Sequence, residues 1–98
     1  MNNIIKKSIN HELKYDFHFI DIENHVPEEI WKDRNGEFIN MEDMGLDHLN
    51  ACIHIVKKAI GRLAESAKRK EVKEMIIPLA EKKLRELNFI FSKKKIQD

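Results

Sequence analysis

Residues 31–56, "WKDRNGEFINMEDMGLDHLNACIHIV", change their hydrophobic period partway along, and that change decides the fold class. Asn35-Gly36 offers two residues that tolerate positive φ, as a type I′ turn requires. They stand between the extended stretches "EIWKDR" (29–34) and "EFIN" (37–40), and together these read as a β-hairpin. Beyond the hairpin, Leu49, Cys52, Ile53, Val56, Ile60, Leu63 and Ala67 recur at steps of three and four, which is the period of a helix. Asn50, His54, Lys57, Gly61, Glu65 and Lys68 line the opposite face. A helix of about 20 residues, starting near Gly45 or Asp47, satisfies this pattern. The only Trp and the only Cys of the chain both fall in this handover from strand to helix.

Upstream, "YDFHFIDI" (15–22) puts Tyr15, Phe17 and Phe19 on one side of an extended chain and Asp16 and His18 on the other, which predicts a third strand. The alternation slips at Phe19-Ile20, where a bulge or a strand end belongs. "ENHVPEE" (23–29) is a connection, because Pro27 cannot donate to a central ladder. Residues 1–13, with Ile4, Ile5, Ile9 and Leu13, fit either a short helix or an irregular arm. Downstream, Val72, Ile76, Ala80, Leu84, Leu87 and Phe91 predict a second helix over 70–93. Pro78 either kinks it or opens a separate helix, and "SKKKIQD" is a charged, fraying end.

The expected fold is therefore α+β in a single domain, 1–98. An arm and a small antiparallel sheet occupy 1–44, and two long helices occupy 45–93. A chain of 98 residues buries roughly 60–65% of its unfolded surface, which leaves stability marginal. The wide apolar arc formed by Ile55 and Ala59 beside Leu49, Val56 and Ile60, together with the run Phe89-Ile90-Phe91, predicts a homo-oligomer that covers the excess.

Hydrophobic content of 42% beside 36% charged residues suits a packed domain rather than a disordered one. Eighteen basic against seventeen acidic residues leave +1, which argues against a surface devoted to nucleic acid. The basic run Lys57, Lys58, Arg62, Lys68, Arg69 and Lys70 is interleaved with glutamates, as on a solvated face. No stretch is apolar enough for a signal peptide or a membrane span, so cytoplasmic residence without a membrane partner is expected.

Chemistry-bearing groupings are sparse. His48 and Cys52 stand one helical turn apart, but no second pair completes a zinc set, and Cys52 reads as a small buried hydrophobe. Glu42, Asp43, Asp47 and His48 serve a helix start whether or not they do chemistry. No nucleophile–base pair and no Gly-rich phosphate loop is visible, so neither an enzyme nor a cofactor is expected. A ligand site is the sharper reading. Trp31 offers a flat face for a nucleobase, Arg34 and Arg62 can grip phosphate bidentately, and His48 with Asn50 sits at a helix N-terminus that favours anions.

The spacing W-x4-G-x7-M-x3-H-L, here Trp31, Gly36, Met44, His48 and Leu49, resembles a unit found in small proteins of bacteriophages and prophages. In those proteins a strand pair with a Gly turn leads into a helix opening with His-Leu. This chain departs from the pattern by carrying Gly45 where Ser or Thr caps the helix. The resemblance implies a phage-type binding protein acting in the host cytosol. One such class sequesters nucleotide signals of bacterial defence without cleaving them, and another inhibits a host protein by binding it through its helices.

Overall fold

The computed structural model describes residues 3–22 and 24–97. The first two residues of the N-terminal segment, Glu23 of the connection and Asp98 of the tail lie outside the described residues. The chain forms α1 (Asn3–Tyr15), β1 (Ile30–Lys32), β2 (Phe38–Asn40), one 3-10 turn (Met41–Asp43), α2 (Leu46–Glu65) and α3 (Lys70–Gln97). This is an α+β fold: a two-stranded antiparallel sheet with three helices, of which α2 and α3 are the long C-terminal pair.

The N-terminal segment is helical as far as Tyr15, with Ile5 and Ile9 one turn apart and buried. Residues 16–22 are not a strand, so the third strand predicted over 15–22 is corrected to the end of α1 and an irregular segment. Burial explains the difference. Phe17, His18, Phe19 and Ile20 are buried in succession, whereas a half-buried strand shows only alternate residues to the core. Local bonds replace the missing ladder. The amides of Asp16 and Phe17 both donate to the Glu12 carbonyl at 3.0 and 2.8 Å, and Ile20 N–H donates to Phe17 at 3.0 Å.

The hairpin pairs Ile30 with Asn40, Trp31 with Ile39 and Lys32 with Phe38. Its turn is not type I′, because among the described residues of the loop only Gly36 has positive φ, at 83°. Gly36 N–H instead donates to the Asp33 carbonyl at 3.0 Å, and the Asp33 carboxylate accepts from Asn35 and Glu37, each at 2.9 Å. A turn closed by a left-handed Gly is the usual three-residue hairpin loop, and the Asp33 side chain selects it here.

Helices α2 and α3 form an antiparallel pair joined by residues 66–69. Ser66 Oγ donates to the Leu63 carbonyl at 2.7 Å, and Lys73 Nζ reaches back from α3 to the carbonyls of Ala64 and Ser66 at 3.1 and 2.7 Å. The last carbonyls of α2 are thus satisfied by a cation where the helix dipole is negative. Leu49, Cys52, Ile53, Val56, Ala59 and Leu63 face Val72, Ile76, Ala80, Leu87 and Ile90 across the core.

Pro78 neither splits α3 nor opens a new helix. It lies on the exposed side of the helix, with Ile76 and Ala80 buried behind it. The Lys-rich end does not fray: α3 runs to Gln97, with Lys93 bonded to the Glu42 carboxylate and Lys94 to the carbonyls of Glu42 and Met44. The arc expected to recruit subunits is largely used within the chain. Ala59 and Ile90 are buried, Ile55 and Phe91 pack against the core, and Phe89 remains in solvent.

One polar cluster sits inside this packing. Lys83, 6% exposed, donates from Nζ to the carbonyls of Pro27 (3.3 Å) and Ile30 (3.0 Å) and to Glu86 Oε1 (2.9 Å). The same Glu86 oxygen accepts the Glu29 amide at 2.8 Å and holds Glu29 at φ 62°. Removing one partner of a buried pair strands the other, so Lys83→Met should cost about 3–5 kcal/mol. That is a fall of more than about 12 °C in Tm for a domain of this size. Lys82→Met breaks an exposed 3.8 Å pair with Glu28 and should cost under about 1 kcal/mol. Thermal unfolding of the two variants checks this, and equal losses would contradict the assignment.

Candidate anion-binding cleft

Two of the five residues singled out in the sequence meet. Arg34 projects from the hairpin loop and Arg62 from the last turns of α2, and both border a cleft of about 200 Å³. Between them lies the C-terminal end of α1: Arg34 Nη1 donates to the Tyr15 carbonyl and Arg62 Nη1 to Asp16 Oδ1, each at 3.3 Å. Lys58, one turn before Arg62, adds a third cation, and Ile55 and Ala59 supply an apolar wall.

The arrangement has a structural role in closing the negative end of α1. It leaves cationic capacity over, because three positive side chains share one carboxylate. The Arg62 side chain is 56% exposed and that of Asp16 37%, and an exposed pair of this kind contributes about 0–1 kcal/mol. An oxyanion with two or three oxygens can therefore displace Asp16 and collect fork-shaped donors from both arginines.

The other three residues lie elsewhere. Trp31 is 3% exposed, stacked on Phe19 at 5.1 Å with 14° between the planes and edge-on to His18 at 5.7 Å. Its face is consumed by the core and cannot carry a base, which corrects the platform expected of it. His48 and Asn50 are exposed near the start of α2, about 18–21 Å along the helix axis from Arg62 at 1.5 Å per residue. Lys58 and Asp16 were missed. Lys58 was legible as the i−4 neighbour of Arg62, but Asp16 was hidden by the misplaced strand.

Larger than this cleft is a depression of about 490 Å³ between α1 and the residues Ile20, Asp21, Ile22 and Asn24, which none of the five residues lines. Among the described residues, no group of three His, Cys, Asp or Glu side chains is placed to hold a metal ion. Burial pushes the Cys52 thiol up to about 11, which keeps it protonated and unreactive. No described helix is long and apolar enough to cross a membrane. No protein-family model, curated protein or solved structure matches the chain.

His18 lies edge-on to Phe19 and Trp31, with its Nδ1 buried and without a hydrogen-bond partner. Burial first, and then the Arg34 charge, hold its pKa below the ordinary 6.5 despite the opposing pull of Asp33. The fold thus prefers neutral imidazole. Stability is complete above the unfolded-state value near 6.5 and is lost as pH falls through the lowered folded-state value. His18→Phe should flatten this acid limb, as read from urea midpoints across that pH range. An unchanged slope would show that the loss arises elsewhere.

Proposed function

We propose that the chain is a non-enzymatic binding protein that captures a small phosphate-bearing molecule between Arg34 and Arg62. The supporting observation is the convergence of these two arginines, from separate elements, on one cleft with Lys58 beside them. The cleft offers charge and forked donors, and among the described residues no nucleophile or acid–base pair lines it. Its volume is below the roughly 300–1,000 Å³ of a typical small-ligand pocket, so it suits a phosphate group with the rest of the ligand lying outward. With Trp31 in the core, a base would rest on a guanidinium plane or on Ile55.

The Trp31–Leu49 resemblance gives this chemistry a setting: a phage-type protein that sequesters a nucleotide signal of bacterial defence in the host cytosol. The chain should then release intact nucleotide on heating after incubation with a bacterial lysate enriched in such signals, as read by mass spectrometry. Arg34→Glu and Arg62→Glu should each weaken binding of that nucleotide by about 2–4 kcal/mol, or about 30- to 900-fold, through a lost charged hydrogen bond and new repulsion. Tm should move by only a few degrees, because each arginine makes an exposed contact. Full affinity in both variants would remove the cleft from the account, and release of no nucleotide would remove the function.

One observation favours a second reading, an inhibitor that binds a host protein through its helices. Leu79 and Phe89 stand outward on α3, with Phe89 60% exposed. A host polypeptide that co-purifies with the intact chain and is lost with Phe89→Glu would support that reading over the first.

A further inference from the structure

The depression beside α1 has a chemistry distinct from that of the arginine cleft. Its floor is Ile9, Leu13, Ile20, Ile22 and Met75, contributed by three separate parts of the chain. Ile9 and Ile20 are 6% and 8% exposed, so this floor belongs to the core and is fixed by it. One rim is α1, which presents Lys6, Asn10 and Lys14 at successive turns. The other rim is held in place by Asp21. Its carboxylate accepts the Asn24 amide at 3.0 Å, Asn24 Nδ2 at 3.2 Å and Lys32 Nζ at 3.3 Å. These bonds hold the Asp21 carboxyl below the usual range, with the Asn24 amide contributing most.

The charge balance follows from those contacts. Among the described residues, Asp21 is the one carboxylate lining the depression, and it is committed to Lys32 and Asn24 on its own rim. Lys6 and Lys14 face it from the far rim with no acidic group among the lining residues beside them, and Lys14 rests over the Tyr15 ring at 5.4 Å. An anion is therefore favoured at the α1 rim. The floor decides what the anion is attached to. Among the described residues no aromatic side chain lines the depression to stack a planar base, and branched aliphatics with one thioether suit a flexible saturated chain. A volume of about 490 Å³ lies within the range of small-molecule sites.

We propose that this depression is a second binding site, specific for a small amphipathic anion: an aliphatic body on the Ile9–Leu13–Ile20 floor and an anionic head at Lys6 and Lys14. A fatty carboxylate and an alkyl phosphate share this chemistry, so both serve as probes. Titration of the full chain with monomeric decanoate and with decyl phosphate, followed by nuclear magnetic resonance, should shift signals of Leu13, Ile22 and Met75. Whichever head binds more tightly identifies the source. Acetate should not bind, and decanol should bind at least about tenfold more weakly than the better anion, because it lacks the charge.

The double variant Lys6→Glu with Lys14→Glu changes two exposed side chains and should cost about tenfold or more in affinity, with the melting temperature held. Leu13→Trp fills the floor and should abolish binding. The arginine variants of the other cleft should leave decanoate binding unchanged, which makes the two sites independently testable. Decanol equal to both anions, an unaffected Lys6/Lys14 variant, or binding only to anionic phosphatidylglycerol vesicles would each overturn the proposal, as would the absence of binding by both anions.

Discussion

The buried Lys83–Glu86 pair is the constraint on which the remaining geometry depends. Seen alone it contributes little, since the cost of taking two charges out of water offsets most of their attraction. Its effect is on specificity of arrangement. Lys83 takes two carbonyls of the segment entering the hairpin, and Glu86 takes the Glu29 amide, so backbone groups without a ladder partner are satisfied by α3. Glu29 adopts a left-handed conformation that a non-Gly residue reaches only when its surroundings require it, and Met41 N–H closes on its carbonyl at 2.9 Å. A two-stranded hairpin is marginal in water by itself, and here it is hung from a helix.

That suspension explains both the core and the cleft. With Ile30 fixed, Trp31 enters the interior and meets Phe19 and His18, which fill the space a third strand would have spanned. The loop beyond it then carries Arg34 to the end of α1, where α2 delivers Arg62 from the other side. The two arginines converge because the hairpin, α1 and α2 are each anchored by apolar faces elsewhere. Each arginine makes only an exposed contact there, so the charge at this place is carried apart from the packing.

The parts legible from sequence are those governed by local period. Both long helices follow from residues recurring at three and four, and the hairpin follows from a Gly placed between two extended stretches. What misled was also local. Alternation in "YDFHF" imitates a strand, yet Phe17, His18, Phe19 and Ile20 are buried in succession, with His18 and Phe19 both against Trp31 of the hairpin. Asn35-Gly36 suggested one turn, and the Asp33 carboxylate imposed another by bonding two amides of the loop. The sequence suggests Trp31 as a platform, but a large ring next to a turn packs wherever two neighbouring aromatics accept it, and Phe19 lies 12 residues away along the chain. In the candidate cleft the arginines were legible and Lys58 followed as the i−4 neighbour of Arg62, whereas Asp16 acquires meaning only once α1 ends where it does.

Charge composition was the least informative of the signals, and α3 shows why. Composition suggests a fraying, Lys-rich end, yet Lys73, Lys83 and Lys94 each reach two main-chain carbonyls, and Lys93 reaches the Glu42 carboxylate. They do structural work at three levels of the helix: the end of α2, the entry to the hairpin, and the turn before α2. Lys57, Lys58 and Arg62 on α2 belong to the same charge class, but they are exposed, and Arg62 has only an exposed carboxylate for company. The two groups differ in whether carbonyls left over from helix ends and loops lie within reach of a long side chain. That is a property of the assembled fold, so a net charge of +1 conceals a set of internal clasps and a separate set of outward cations.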